Sequence, residues 1–93
     1  MSDVITGTAT IRDPTGLHAR PAVKLARLAK TFAASVEVCA SMGGDWIDAK
    51  STNALMKMRA RTGSDLFIRA VGDDAQKAVS ELVKLISSDF EVP

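Results

Sequence analysis

A chain of 93 residues has room for one small domain, and residues 1–93 are read as a single one. Its 46% apolar and 25% charged content is that of a folded globular protein, and 12 basic against 11 acidic residues leave a net charge of +1, which gives no electrostatic case for nucleic acid as the main partner. No apolar run approaches the length of a membrane span, so no membrane insertion is expected, and Met1-Ser2-Asp3-Val4 lacks the basic start and apolar stretch of a signal peptide. Cys39 stands alone, which excludes an internal disulfide and a cysteine-based metal cluster, and a reducing cytoplasm is the compartment expected. With no tyrosine and one tryptophan, a stacking platform for single-stranded nucleic acid is disfavoured.

Taken in order, Val4 to Ile11 alternates, with Ile5, Ala9 and Ile11 on one face and Thr6, Thr8 and Thr10 on the other, which predicts a first strand. The turn signal Asp13-Pro14-Thr15-Gly16 ends it. From Ala19 to about Phe32, Ala22, Leu25, Ala26, Ala29 and Phe32 recur at helical spacing, with Lys24, Arg27 and Lys30 on the opposite side. Ser35 to Ala40 alternates again, with Val36 and Val38 inward, and Met42-Gly43-Gly44-Asp45 signals a hairpin. Trp46 to Ala49 is the short returning strand, with Ile47 and Ala49 inward. Ser51-Thr52-Asn53 offers cap residues for a short helix from Ala54 to about Ala60. After Thr62-Gly63-Ser64-Asp65 turns the chain, Leu66, Ile68 and Ala70 face inward on a fourth strand. Gly72-Asp73-Asp74 reads as a stop and a helix cap, and Ala75, Ala78, Val79, Leu82, Val83 and Ile86 form the stripe of a last helix. The order β-α-β-β-α-β-α predicts an α+β fold, an open-faced sandwich with a four-stranded antiparallel sheet and three helices on one face.

The segment Gly16-Leu17-His18-Ala19-Arg20-Pro21-Ala22 carries the chemistry. His18 is the only histidine. It falls between the turn signal and the first helical pattern, with a proline suited to a first helical turn three residues on. Imidazole is partly neutral near pH 7 and nucleophilic, and the N–P bond it forms is energy-rich enough for the group to be passed on. A helix N-terminus stabilises a phosphoryl dianion through unpaired backbone N–H groups, here those of Ala19 and Arg20, and the Arg20 side chain adds a fixed charge and a forked donor set. A surface or cap histidine fits the same residues, and the residues alone leave both readings open. His18 has no convergent partner ligands in sequence, so no metal and no cofactor are expected.

The string GLHARPA resembles the active-site signature of HPr, the histidine phosphocarrier of the bacterial phosphoenolpyruvate:sugar phosphotransferase system. The resemblance runs from about Val4 to Ile86 and takes in the element order, Ala49-Lys50-Ser51 before the short helix, and the Gly72 to Val79 entry to the last one. It implies that His18 is phosphorylated at Nδ1 by enzyme I, which draws on phosphoenolpyruvate, that Arg20 steadies the phosphoryl group, and that the group then passes to a IIA-type domain. The chain would be a stoichiometric intermediate, not an enzyme in the turnover sense.

Ser51 matches the serine that a dedicated HPr kinase/phosphorylase modifies in some bacteria. A plain helix cap explains the same residue. The resemblance breaks just after it: most HPr proteins carry two bulky apolar docking residues where this chain has Thr52 and Asn53. Thr52, Asn53, Leu55, Met56 and Arg27 are the docking candidates, with core packing the simpler account of Leu55 and Met58. Lys57, Arg59 and Arg61, with Arg20, Lys24 and Arg27, form either a positive face for acidic partners or a solvated charged surface. The loss of the apolar pair fits a specialised branch, a regulatory phosphorelay module that is nitrogen-related or dedicated to a kinase and acts by protein binding. Trp46 and Phe67 face the open side of the sheet near Cys39, where cross-strand packing in a monomer is favoured over a contact surface.

Overall fold

The computed structural model describes residues 4–12, 19–40, 44–58 and 60–88. Its strands and helices follow the predicted order: β1 (Ile5–Thr10), α1 (Ala19–Lys30), β2 (Ser35–Cys39), β3 (Ile47–Asp48), α2 (Thr52–Met58), β4 (Asp65–Val71) and α3 (Ala75–Ser87). The strands form one antiparallel sheet in the order β1-β4-β2-β3. Alternation decides its two faces. Ala9, Val36, Val38, Leu66, Ile68 and Ala70 are buried under the helices, and Thr6, Thr8, Glu37, Phe67 and Arg69 take the opposite face.

The helices supply the other half of the core. On α1 the stripe Ala22, Leu25, Ala26 and Ala29 is at most 1% exposed. α3 buries Ala75, Ala78, Val79, Leu82, Leu85 and Ile86, so Leu85 joins the stripe and Val83 stands half-buried at its margin. α3 lies so close to β1 that a Cβ on Gly7 would sit 2.6 Å from Val79 Cγ1. A Gly7→Val substitution must push the two apart, a loss of about 1–3 kcal/mol that urea unfolding would measure.

Several boundaries move from their predicted places. α1 ends at Lys30 rather than Phe32, and α2 starts at Thr52 rather than Ala54 because Ser51 already caps it: the Ala54 N–H donates to Ser51 Oγ at 3.2 Å. The strands predicted over Val4 to Ile11 and Trp46 to Ala49 are shorter by a residue at each end. The turn over Asp13 to Gly16 lies outside the described residues, as do Met42 and Gly43 of the predicted hairpin turn. On the open face the Arg69 guanidinium stacks over Trp46 at 4.2 Å and pairs with Glu37 at 2.9 Å, so Trp46 is engaged in cross-strand packing. The ion pair is partly exposed and worth at most about 1 kcal/mol.

Asp74 corrects a sequence expectation in kind. It occupies the N-cap position of α3 but makes no side-chain cap bond. Its carboxylate instead accepts the N–H groups of Ala33 and Ala34, at 2.9 and 2.8 Å, in the connection between α1 and β2. Those amides belong to no helix or strand, and an anionic acceptor satisfies both. The two bonds, with the nearby Lys50 ammonium contributing less, hold the Asp74 carboxyl below its ordinary value of 3.8. A carboxyl depressed in the folded state stabilises the fold above its unfolded value, and that contribution is lost as pH falls through the folded one. The thermal midpoint of the native chain is therefore expected to drop as pH is lowered through about 4 and below, and Asp74→Asn to flatten that slope while lowering the midpoint at pH 7. Scanning calorimetry across the acid range checks both.

Candidate functional site

His18 lies outside the described residues, and so do Asp13 to Leu17. The described part of the candidate site starts at the next residue. Ala19 and Arg20 open α1 with their side chains exposed, and Pro21 follows, buried, where a missing N–H breaks no helical bond. The first helical N–H groups have no partner within their own helix. α1 carries no acidic residue in its first turn. Arg20, Lys24 and Arg27 recur at helical spacing and, with Ala19 and Val23, line a shallow depression along the start of the helix.

α2 packs beside α1 and supplies the other docking candidates. Asn53 and Met56 are exposed and Thr52 is half-buried. Leu55 is a correction: it is 0% exposed, because so short a helix is held to the core by its inward apolar positions, and it offers no contact surface. Met58 packs half-buried against the same core. Ser51 is half-buried at the head of α2, its hydroxyl accepting from Ala54 and its carbonyl from Leu55. Just before it, Lys50 donates from Nζ to the Phe32 carbonyl at 2.9 Å, tying the start of α2 to the end of α1.

Charge is segregated along the chain. No acidic residue occurs between Asp13 and Glu37 or between Asp48 and Asp65, while those two stretches hold Arg20, Lys24, Arg27, Lys30, Lys50, Lys57, Arg59 and Arg61, eight of the 12 basic residues. A net charge of +1 therefore conceals a basic pair of helices. Val23, exposed within the α1 depression, is a candidate contact that the sequence reading passed over. Its signal was an apolar residue standing off the buried stripe. The groove floored by Leu28, Phe32 and Leu85 lies at the far end of α1 from Arg20 and belongs to no part of this site.

The capping bond gives Ser51 a measurable structural role. Ser51→Ala is expected to cost about 0.5–2 kcal/mol, read as a lower urea midpoint with an unchanged m-value.

Residues 5–88 match the model of a protein family described as the PTS HPr component phosphorylation site. The chain is 38% identical over 81 residues to the phosphocarrier protein HPr of Cupriavidus necator, covering 87% of this chain and 89% of that one. It is 36% identical over 80 residues to DhaM of Providencia stuartii, the phosphoryl donor subunit of a PEP-dependent dihydroxyacetone kinase, and there the match covers 86% of this chain but spans only 16% of the relative's length. Among solved structures, HPr-C-His from Thermoanaerobacter tengcongensis superposes with a TM-score of 0.87 at 32% identity, over 96% of this chain and 98% of that one.

Proposed function

The chain belongs to the HPr family of phosphotransferase-system phosphocarriers, and from that premise we propose that His18 accepts a phosphoryl group from phosphorylated enzyme I and passes it to a IIA-type domain. The neutral ring attacks phosphorus through Nδ1, the bond between phosphorus and the donor breaks, and the ring leaves the encounter as a phosphoimidazole. The acceptor's nucleophile then repeats the displacement and returns His18 to its starting state. The transfer needs no cofactor and no metal, and the chain turns over no substrate of its own. Phosphoenolpyruvate and the transferases that use it place such a carrier in the cytoplasm.

One observation carries this reading: the residue after His18 begins α1, whose exposed opening presents Ala19, Arg20 and an acid-free basic stripe. Unpaired helical N–H groups and a guanidinium are the donors that a phosphoryl dianion needs. Docking would use α1 and α2 together, through Arg27, Met56, Thr52 and Asn53, with the basic side chains steering an acidic partner face.

A second reading is favoured by the two polar residues at the head of α2. Thr52 and Asn53 give a docking surface with little apolar area, which suits transfer within a kinase-dedicated or nitrogen-related relay more than a general sugar system. The likeness to a kinase's phosphoryl donor subunit supports the same branch. Ser51 would be its regulatory position: a phosphate there would add negative charge between the two basic helices and repel an acidic partner.

Incubation with phosphoenolpyruvate and active enzyme I, followed by intact-protein mass spectrometry, tests carriage. A single acid-labile phosphoryl addition is expected on the native chain and none on His18→Ala. An unmodified native chain would overturn the reading.

A further inference from the structure

Of the residues that lead into the histidine segment, Ile11 is held by the turn that precedes β4. The Ile11 N–H donates to the Ser64 carbonyl at 2.9 Å, and the Gly63 N–H donates back to the Ile11 carbonyl at 2.8 Å. The Ser64 N–H closes the turn on the Arg61 carbonyl at 3.0 Å. Thr10 donates from Oγ1 to Asp65 Oδ1 at 2.8 Å, the Ile11 side chain is 1% exposed, and Arg12 reaches the Ser87 carbonyl at the end of α3. Ile11 is therefore fixed by both of its backbone polar groups and by its side chain. On the other side of the histidine, Ala19 and Arg20 are fixed by α1, whose stripe is buried.

We infer that the Arg61–Ser64 turn is a positioning element for His18, and that Gly63 is the residue on which it depends. The inference rests on the carrier reading of His18. Gly63 takes φ +87°, a region that L side chains rarely adopt, and an ideal Cβ built there meets nothing within 4 Å. A side chain at this position collides with nothing. It disfavours only the backbone conformation that aims the Gly63 N–H at Ile11. Six residues separate Arg12 from Ala19, and His18 is the last of them, so the chain runs from Ile11 to the histidine over a short stretch of sequence. The turn acts through its backbone groups.

Gly63→Ala and Gly63→Asn separate this role from plain stability, because asparagine tolerates positive φ far better than alanine. With this chain as the substrate of phosphorylated enzyme I, Gly63→Ala is expected to lower kcat about tenfold with little change in KM, the signature of a misplaced nucleophile. Gly63→Asn is expected to restore most of the rate. The sole histidine gives one unambiguous ring signal in NMR, and its titration midpoint should move in Gly63→Ala and return in Gly63→Asn. Wild-type kcat and an unmoved ring titration in a folded Gly63→Ala would overturn the inference, as would equal impairment of both variants. Should Gly63→Ala not fold, Gly63→Asp, which visits positive φ more readily than alanine, carries the same test. A native chain that enzyme I leaves unmodified defeats the carrier reading, whereas the ring titrations still report whether the turn governs His18.

Discussion

Two backbone amides at Ala33 and Ala34, left without helix or sheet partners, set the arrangement of the helices. One carboxylate, Asp74, accepts both. Gly72, just before it, lies so close to Ala34 that a Cβ there would stand 2.7 Å from the Ala34 Cα. Lys50 donates to the neighbouring Phe32 carbonyl. The end of α1 and the starts of α2 and α3 thus converge on one short connection. Because a helix is rigid over its length, fixing the end of α1 there also fixes where its other end, with Ala19 and Arg20, emerges over the sheet.

The parts of the fold that were legible in the sequence are those written in side-chain periodicity. The stripe Ala22, Leu25, Ala26 and Ala29 and the alternation of Leu66, Ile68 and Ala70 each report burial directly, and each is buried as read. Ser51 was recognisable as a cap residue, although the helix begins sooner than its apolar positions suggest, since capping rather than hydrophobicity decides a start. Asp74 was misread because a short acid before a helix looks like a cap wherever its carboxylate turns. The pairing of Ile11 with Gly63 and Ser64 left no mark in the sequence beyond the glycine, because backbone groups make it. Of the candidate site, Arg20 and Arg27 are exposed as expected, Leu55 belongs to the core, and His18 was legible through its motif alone.

The distribution of charge links fold to chemistry. A carrier must meet a donor and an acceptor in turn through one small surface, so it needs fast, reversible encounters rather than tight ones. Basic side chains on α1 and α2, neither of which carries an acid, supply attraction that acts before contact and is screened by salt. The exposed Val23 and Met56 add limited apolar area. Such a surface favours brief docking, as a shuttle requires.

Among the described residues of α2, Leu55 alone is fully buried. The helix is therefore attached to the domain through Leu55, the half-buried Met58 and its cap, while Asn53 and Met56 are exposed and Thr52 is half-buried. Substitutions at exposed positions of this kind typically change stability by only about 0.5 kcal/mol or less. Descendants of one ancestral scaffold can accordingly diverge in the company they keep while folding alike, and insulated signalling lines can arise by gene duplication without redesign of the domain.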